Sequence, residues 1–193
     1  MTLAMRTRPV LPPRGATLVA IIVSGAMLLP ASAGAARQDA GARPIVSGTR
    51  IRPLDAKAAD LLEQGPLRSR TIKRLIDTLE QSDVIVFVST GLLMISGETV
   101  FVTESSGTRF LRIVLSVPEA DDRLLGWLGH ELQHAVEIAT APEVTSVETM
   151  AAFYRHVGNV SGSGVCTPEA QKLTATVSAE VAAEPWPWRE LRH

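Results

Sequence analysis

Cysteine is nearly absent from this chain: Cys166 is the only one, so no intramolecular disulfide can form and a cysteine-rich metal site is excluded. Stability has to come from packing, or from packing plus a metal. The thiol sits in "GSGVCTPEA" with no histidine beside it in sequence, which reads as a small half-buried side chain rather than a reactive group. Net charge is also nearly absent. Lys and Arg number 19 against 20 Asp and Glu, and the pI lies near 6.4, so no global basic field recommends nucleic acid or an anionic membrane surface as a partner. Internal repeats are missing too, and the one low-complexity tract is "GNVSGSG", read as a flexible loop. Function has to be sought in local groups of residues.

The chain has 193 residues, enough for one domain with its own hydrophobic core. Residues 1–36 differ from the rest. Arg6, Arg8 and Arg14 precede the apolar run "GATLVAIIVSGAMLL" and the small residues of "PASAGAA", the order of a secretory signal cleaved near Ala33 or Ala36. The run falls short of the roughly 20 residues that span a bilayer, so the expectation is an exported protein, periplasmic or extracellular, with no membrane anchor after cleavage. Residues 37–48, "RQDAGARPIVSG", read as a flexible leader. Residues 49–193 are then a single domain.

Within that domain the hydrophobic periods alternate. Leu54, Ala58, Leu61 and Leu62, then Ile72, Leu75, Ile76 and Leu79, recur at helical spacing and predict two short helices broken at Gly65 and Pro66. "DVIVFVST" predicts a buried strand over Val84 to Val88, and "ETVFVTE" with "RFLRIVLSV" a hairpin closed by Ser105, Ser106 and Gly107. In its second arm Leu111, Ile113, Leu115 and Val117 share one face, with Arg112 and Ser116 on the other. A long helix follows, opened by Pro118 with Glu119, Asp121 and Asp122 at its positive end and stopped before Pro142. "TSVETMAAFYRHVG" and "TPEAQKLTATVSAEVAAE" predict two more. The expected class is α+β: N-terminal helices and a small antiparallel sheet packed on the long helix, then two C-terminal helices.

The long helix carries "GHELQHAVE". At about 100° per residue, Leu125, Leu128, Leu132, Ala135 and Ala139 make one apolar stripe, while His130 and His134 lie on the far side, one turn apart. Both imidazoles can reach one ion. Zinc accepts neutral histidine nitrogens and keeps a position for water when the protein supplies three ligands. Glu131 projects to the flank of the pair, where it can take a proton from that water.

This H-E-x-x-H pattern on a helix after a strand hairpin resembles the zincin family of zinc metallopeptidases, and "GHELQHAVE" resembles the active helix of its small bacterial members. The resemblance covers roughly residues 98–140, and its specific part is His130, Glu131 and His134. It implies that the histidines bind Zn2+, that Glu131 is the general base, and that the hairpin offers an edge to an extended peptide or protein substrate. The metzincin branch does not fit, because residue 137 is Glu where its pattern has Gly and residue 140 is Thr where it has His. The gluzincin branch takes a glutamate from a following helix. Glu148 is the leading third ligand on that likeness, and Thr145-x-x-Glu148 is equally a helix capping box. Glu137, Glu143, Glu169 and Glu180 are further candidates. Glu137 lies about 10 Å along the axis from His130, which suits it better to orienting His134 than to ligation.

Tyr154 and His156 are candidate oxyanion donors on the second helix. Arg68, Arg70, Lys73 and Arg74 read as a solvated basic face, and Trp186 and Trp188 as anchors that pin the tail. The leading expectation is an exported zinc-dependent hydrolase, a metallopeptidase using a zinc-bound water activated by Glu131. The alternative is a secreted, non-catalytic metal-binding or structural protein that retains the same helix.

Overall fold

Valines at every second position place the sheet. Val84, Val86 and Val88 are fully buried while Ile85 and Phe87 between them are half-exposed, the alternation of a strand covered on one face. The computed structural model describes residues 49–161 and 164–183. The expected signal and leader, and Trp186 and Trp188, lie outside the described residues. The elements run β1 Ile51–Pro53, α1 Ala56–Arg68, α2 Arg70–Glu80, β2 Val84–Gly91, β3 Gly97–Ser105, β4 Thr108–Ser116, α3 Asp121–Thr140, α4 Val147–Val157, β5 Asn159–Ser161, β6 Gly164–Cys166 and α5 Pro168–Ala183. The fold is α+β.

The four-stranded sheet has the order β1-β2-β4-β3. β3 and β4 form the expected antiparallel hairpin, with Ser106 and Gly107 at positive φ in its turn. The sheet as a whole is mixed, because β1 and β4 both run parallel to β2. Helices α1 and α2 make the long return that parallel β1–β2 pairing requires. Leu111, Ile113, Leu115 and Phe101 continue the buried face laid down by the β2 valines, and the buried side chains of α1, α2 and α3 complete that core. Val117 falls beyond β4 and is exposed, whereas Ser116 is buried.

Several boundaries differ from the sequence reading. Helix α1 runs through Gly65 and Pro66, and the break comes at Ser69, whose extended backbone ends α1 while its side chain accepts from the Ile72 amide to cap α2. Gly65 is instead a contact point: a Cβ there would meet Ile72 Cγ2 at 3.0 Å. Arg68 is not on a solvated face. It is buried and donates to the Val181 carbonyl at 2.9 Å and to Asp122 at 2.6 Å, tying α1 to α3 and α5, while Arg70, Lys73 and Arg74 are exposed. Helix α3 begins after Ala120, so Pro118 precedes it. "GNVSGSG" is not simply a loop, because β5 and β6 pair as an antiparallel ribbon.

Helix α3 is buried on both sides. Its Leu124, Leu125, Leu128, Leu132 and Ile138 are fully buried, and Gly126 and Gly129 face α5. A Cβ on Gly129 would stand 2.7 Å from Val177 Cγ2, and one on Gly126 would stand 2.7 Å from Ser178 Oγ. These two glycines let α5 lie close against the motif helix. Among the described residues no helix is long and apolar enough to cross a membrane.

Candidate metal and catalytic site

His130 and His134 project from α3 into a cleft of about 770 Å³, their ring centroids 4.9 Å apart. Both are buried, at 8 % and 7 % exposure. Each has its Nδ1 fixed. Thr174 Oγ1, on α5, donates to the Ala170 carbonyl at 3.3 Å, so toward His130 it is the acceptor of an Nδ1–H bond of 2.9 Å. The His134 Nδ1–H meets Glu137 Oε2 at 2.9 Å. With Nδ1–H as the donor, each ring carries its lone pair on Nε2, the state a metal ligand requires, and that of His130 faces the Cys166 sulfur. Burial and the neighbouring His134 push His130 down to about 4, so it is neutral across the physiological range and pays no proton to bind a cation.

Glu137 has the orienting position assigned to it from sequence. Its second oxygen accepts from Thr167 Oγ1 at 2.6 Å, and these bonds, with the one from His134, hold its carboxyl below the ordinary value despite burial. Thr167 also caps α5 through the Ala170 amide at 3.2 Å. The residue before it is Cys166. Its sulfur lies 3.5 Å from His130 Nε2, and the donor atoms of His130, His134 and Cys166 all fall within 4.8 Å of one another.

A buried His-His-Cys group of this kind can bind a metal ion. Its donors are the nitrogens and sulfur that zinc prefers, and ligands on a tetrahedron with bonds of ~2.0 Å to nitrogen and ~2.3 Å to sulfur stand ~3.3–3.8 Å apart. The 3.5 Å contact of Cys166 with His130 already meets that spacing. Burial raises the Cys166 thiol pKa, and a bound cation would reverse that by favouring the thiolate.

The carboxylates expected to supply the third ligand lie elsewhere. Glu148 is exposed in the first turn of α4, its carboxylate engaged with Ser146, and the capping box there uses Ser146 and Thr149 rather than Thr145 and Glu148. Glu143 and Glu169 are also exposed. Glu180 is committed to the start of α2, where it accepts from the Thr71 amide at 3.1 Å and Thr71 Oγ1 at 3.0 Å. Among the described residues, Cys166 is the side chain that stands with the two histidines.

Glu131 is 4 % exposed and its carboxyl is pushed up to about 7, chiefly by burial. Strand β3 holds it. Thr99 Oγ1 donates to Oε2 at 2.8 Å, and Gly97 leaves room for Oε1, since a Cβ there would stand 2.8 Å from that oxygen. Tyr154 lines the same cleft, its ring edge-on to His134, and its hydroxyl donates to the His134 carbonyl at 3.2 Å. That bond braces α4 against α3. His156 is exposed in the last turn of α4 and is not among the residues lining the cleft.

Sequence reasoning set Cys166 aside as a small half-buried side chain, where the structure buries it at the site, and passed over Thr99, Gly97, Thr167 and Thr174. Nothing in their spacing from the motif announces them, because β3, α5 and the β5–β6 ribbon reach the site through tertiary packing. The only local signal is that Cys166 immediately precedes the "TPE" start of a helix, a point where the chain is held firmly. Neither models of protein families, nor curated proteins, nor solved structures give a match to this chain.

Proposed function

We propose that the protein is an exported zinc-dependent hydrolase of amide bonds, a peptidase of zincin type. One observation carries this reading: a buried carboxylate, Glu131, stands beside two tautomer-fixed histidines and a cysteine at the wall of an open cleft. A purely structural metal site has no use for an ionisable group in that position, since structural zinc sites are closed and need only ligands. Export rests on the character of residues 1–36.

His130, His134 and Cys166 would hold the ion. Zinc, when bound, supplies Lewis acidity that polarises a carbonyl and makes water acidic enough to ionise near neutrality. The remaining work belongs to the chain. Thr99 occupies Oε2 of Glu131, which leaves Oε1 to receive a proton from the attacking water and later to return it to the leaving amine. Burial raises the Glu131 carboxyl, which favours its protonated form once it has taken a proton, and a bound cation would oppose that shift and keep it available as a base. Glu137 and Thr174 keep the imidazoles aimed while this happens.

Elemental analysis of the purified protein, paired with hydrolysis of a mixed peptide library, tests the reading. Stoichiometric zinc and cleavage that disappears in Glu131→Gln support it. Zinc without cleavage at any pH or metal loading favours a non-catalytic metal-binding protein.

A further inference from the structure

Of the three donors at this centre, sulfur alone is open to a mild oxidant. Cys166 is held in place on both sides. Its backbone pairs with Asn159 at the end of the β5–β6 ribbon, and Thr167 after it caps α5 through the Ala170 amide at 3.2 Å. The sulfur lies 3.5 Å from His130 Nε2 and 3.5 Å from the Thr167 carbonyl oxygen. A second observation marks this as a ligand position rather than a stray thiol: His134 is buried and gives its Nδ1 to Glu137, and among the described residues no protein group bonds its Nε2. The donor atoms of His130, His134 and Cys166 converge within 4.8 Å.

Access and the lack of a thiol partner decide what happens to that sulfur. Cys166 lines the cleft of about 770 Å³ together with both histidines, so a solute as small as a peroxide can meet it, whereas a thiol sealed in a core is inert. The chain has no second cysteine. A first oxidation of Cys166 therefore cannot be trapped as an intramolecular disulfide; it is captured by a small external thiol or runs on to the sulfinic acid.

We infer that Cys166 is an oxidative modification site that controls occupancy of the metal centre: a hydroperoxide oxidises the ligating thiolate and the ion is lost. The site stands on the metal centre and not on hydrolysis, since a non-catalytic metal protein with these ligands would be governed in the same way. The sulfur attacks one peroxide oxygen. An S–O bond forms and the O–O bond breaks, so sulfur is oxidised to the sulfenic acid while the peroxide is reduced, its second oxygen leaving as hydroxide that takes a proton from water. A second equivalent of peroxide gives the sulfinic acid by the same exchange. The soft thiolate that zinc binds is then gone, and two imidazoles are left to hold the ion.

The test exposes the full zinc-loaded chain to hydrogen peroxide, follows zinc release with a chromophoric chelator, and locates the added oxygen by peptide mass mapping at the same time points. Zinc should leave in step with Cys166 oxidation, one ion for each thiol oxidised, and early addition of a thiol reductant should restore zinc binding. Cys166→Asp keeps an anionic ligand that peroxide does not attack, and should hold its zinc through the same exposure. Met94 and Met150 line the same cleft and are themselves oxidisable, so zinc release from the Met94→Leu, Met150→Leu double variant should match the unsubstituted protein. Zinc retained with Cys166 fully oxidised, release that tracks methionine oxidation, or equal release from Cys166→Asp overturns the inference. If Cys166→Asp fails to fold or to take up zinc, the agreement of the two time courses in the unsubstituted protein decides. Peptide cleavage by the same samples keeps the two claims apart. Peroxide-driven release from a protein that never cleaves supports the modification site and removes the hydrolase, whereas a cleaving protein that keeps its zinc under peroxide retains the hydrolase and overturns the site. A chain that takes up no zinc removes both.

Discussion

Glu131 is the residue on which the chemistry turns, and its surroundings make separable demands. Glu131→Gln keeps the shape of the side chain and removes the proton acceptor, so turnover should fall by about 100- to 10,000-fold with zinc content unchanged. Gly97→Ala makes a different prediction. The added methyl would press on Oε1, displacing the carboxylate by a fraction of an ångström to an ångström, and misplacement on that scale costs about 100-fold in rate. Zinc binding should again persist, because the ligands do not touch Gly97. Steady-state kinetics with elemental analysis on the same samples checks both. At this scale the sequence was informative where chemistry is local and silent where it is not. His130, Glu131 and His134 share one helix and their spacing alone puts them together, as it puts Glu137 beside His134. Cys166 arrives from 32 residues beyond His134, and no spacing rule connects them.

The elements around the motif helix explain how that distant cysteine is delivered. Gly126 and Gly129 bring α5 against α3, which sets Thr174 at His130. Thr167 joins the start of α5 to Glu137, and the β5–β6 ribbon ends at Cys166. Filling the Gly129 position with alanine forces Val177 away and should cost about 1–3 kcal/mol of stability by overpacking, read from urea midpoints. Thr174→Val and Glu137→Gln remove the bonds that orient the rings, and each should weaken zinc binding by about 10- to 100-fold, measured by competition with a chelator. The leucine stripe of α3 is legible in the sequence, but the burial of its histidine-bearing side is not, because β3, α4 and α5 reach it from distant parts of the chain. Likewise β1 is three residues long and ends in Pro53, too short to be visible in the sequence, although it contributes to making the sheet mixed.

At the scale of the whole molecule, Arg109 ties the sheet to the end of the motif helix. Its guanidinium is buried and donates to the carbonyls of Ile138 and Ala141, each at 2.7 Å, and to Asp83 at 2.7 Å. The Arg109 bond holds the Asp83 carboxyl below its ordinary 3.8. A depressed carboxylate contributes stability that is fully present above that ordinary value and is lost as pH falls through the lower folded one. Urea midpoints should therefore decline below about pH 4, and Asp83→Asn should flatten that decline. Because Asp83 is partly exposed, added salt should shrink the effect. A metal held between α3 and the end of β6 should also stabilise the fold, by ~2.7 kcal/mol when free zinc is a hundred times its dissociation constant. Calorimetry with and without chelator reads that increment.

The central claim is that His130, His134 and Cys166 form one metal centre, and X-ray absorption at the zinc edge of the loaded protein tests it most directly. The account predicts a first shell with two imidazole nitrogens at ~2.0 Å and one sulfur at ~2.3 Å, the sulfur vanishing in Cys166→Ser. A shell of nitrogen and oxygen alone in the unsubstituted protein would contradict it.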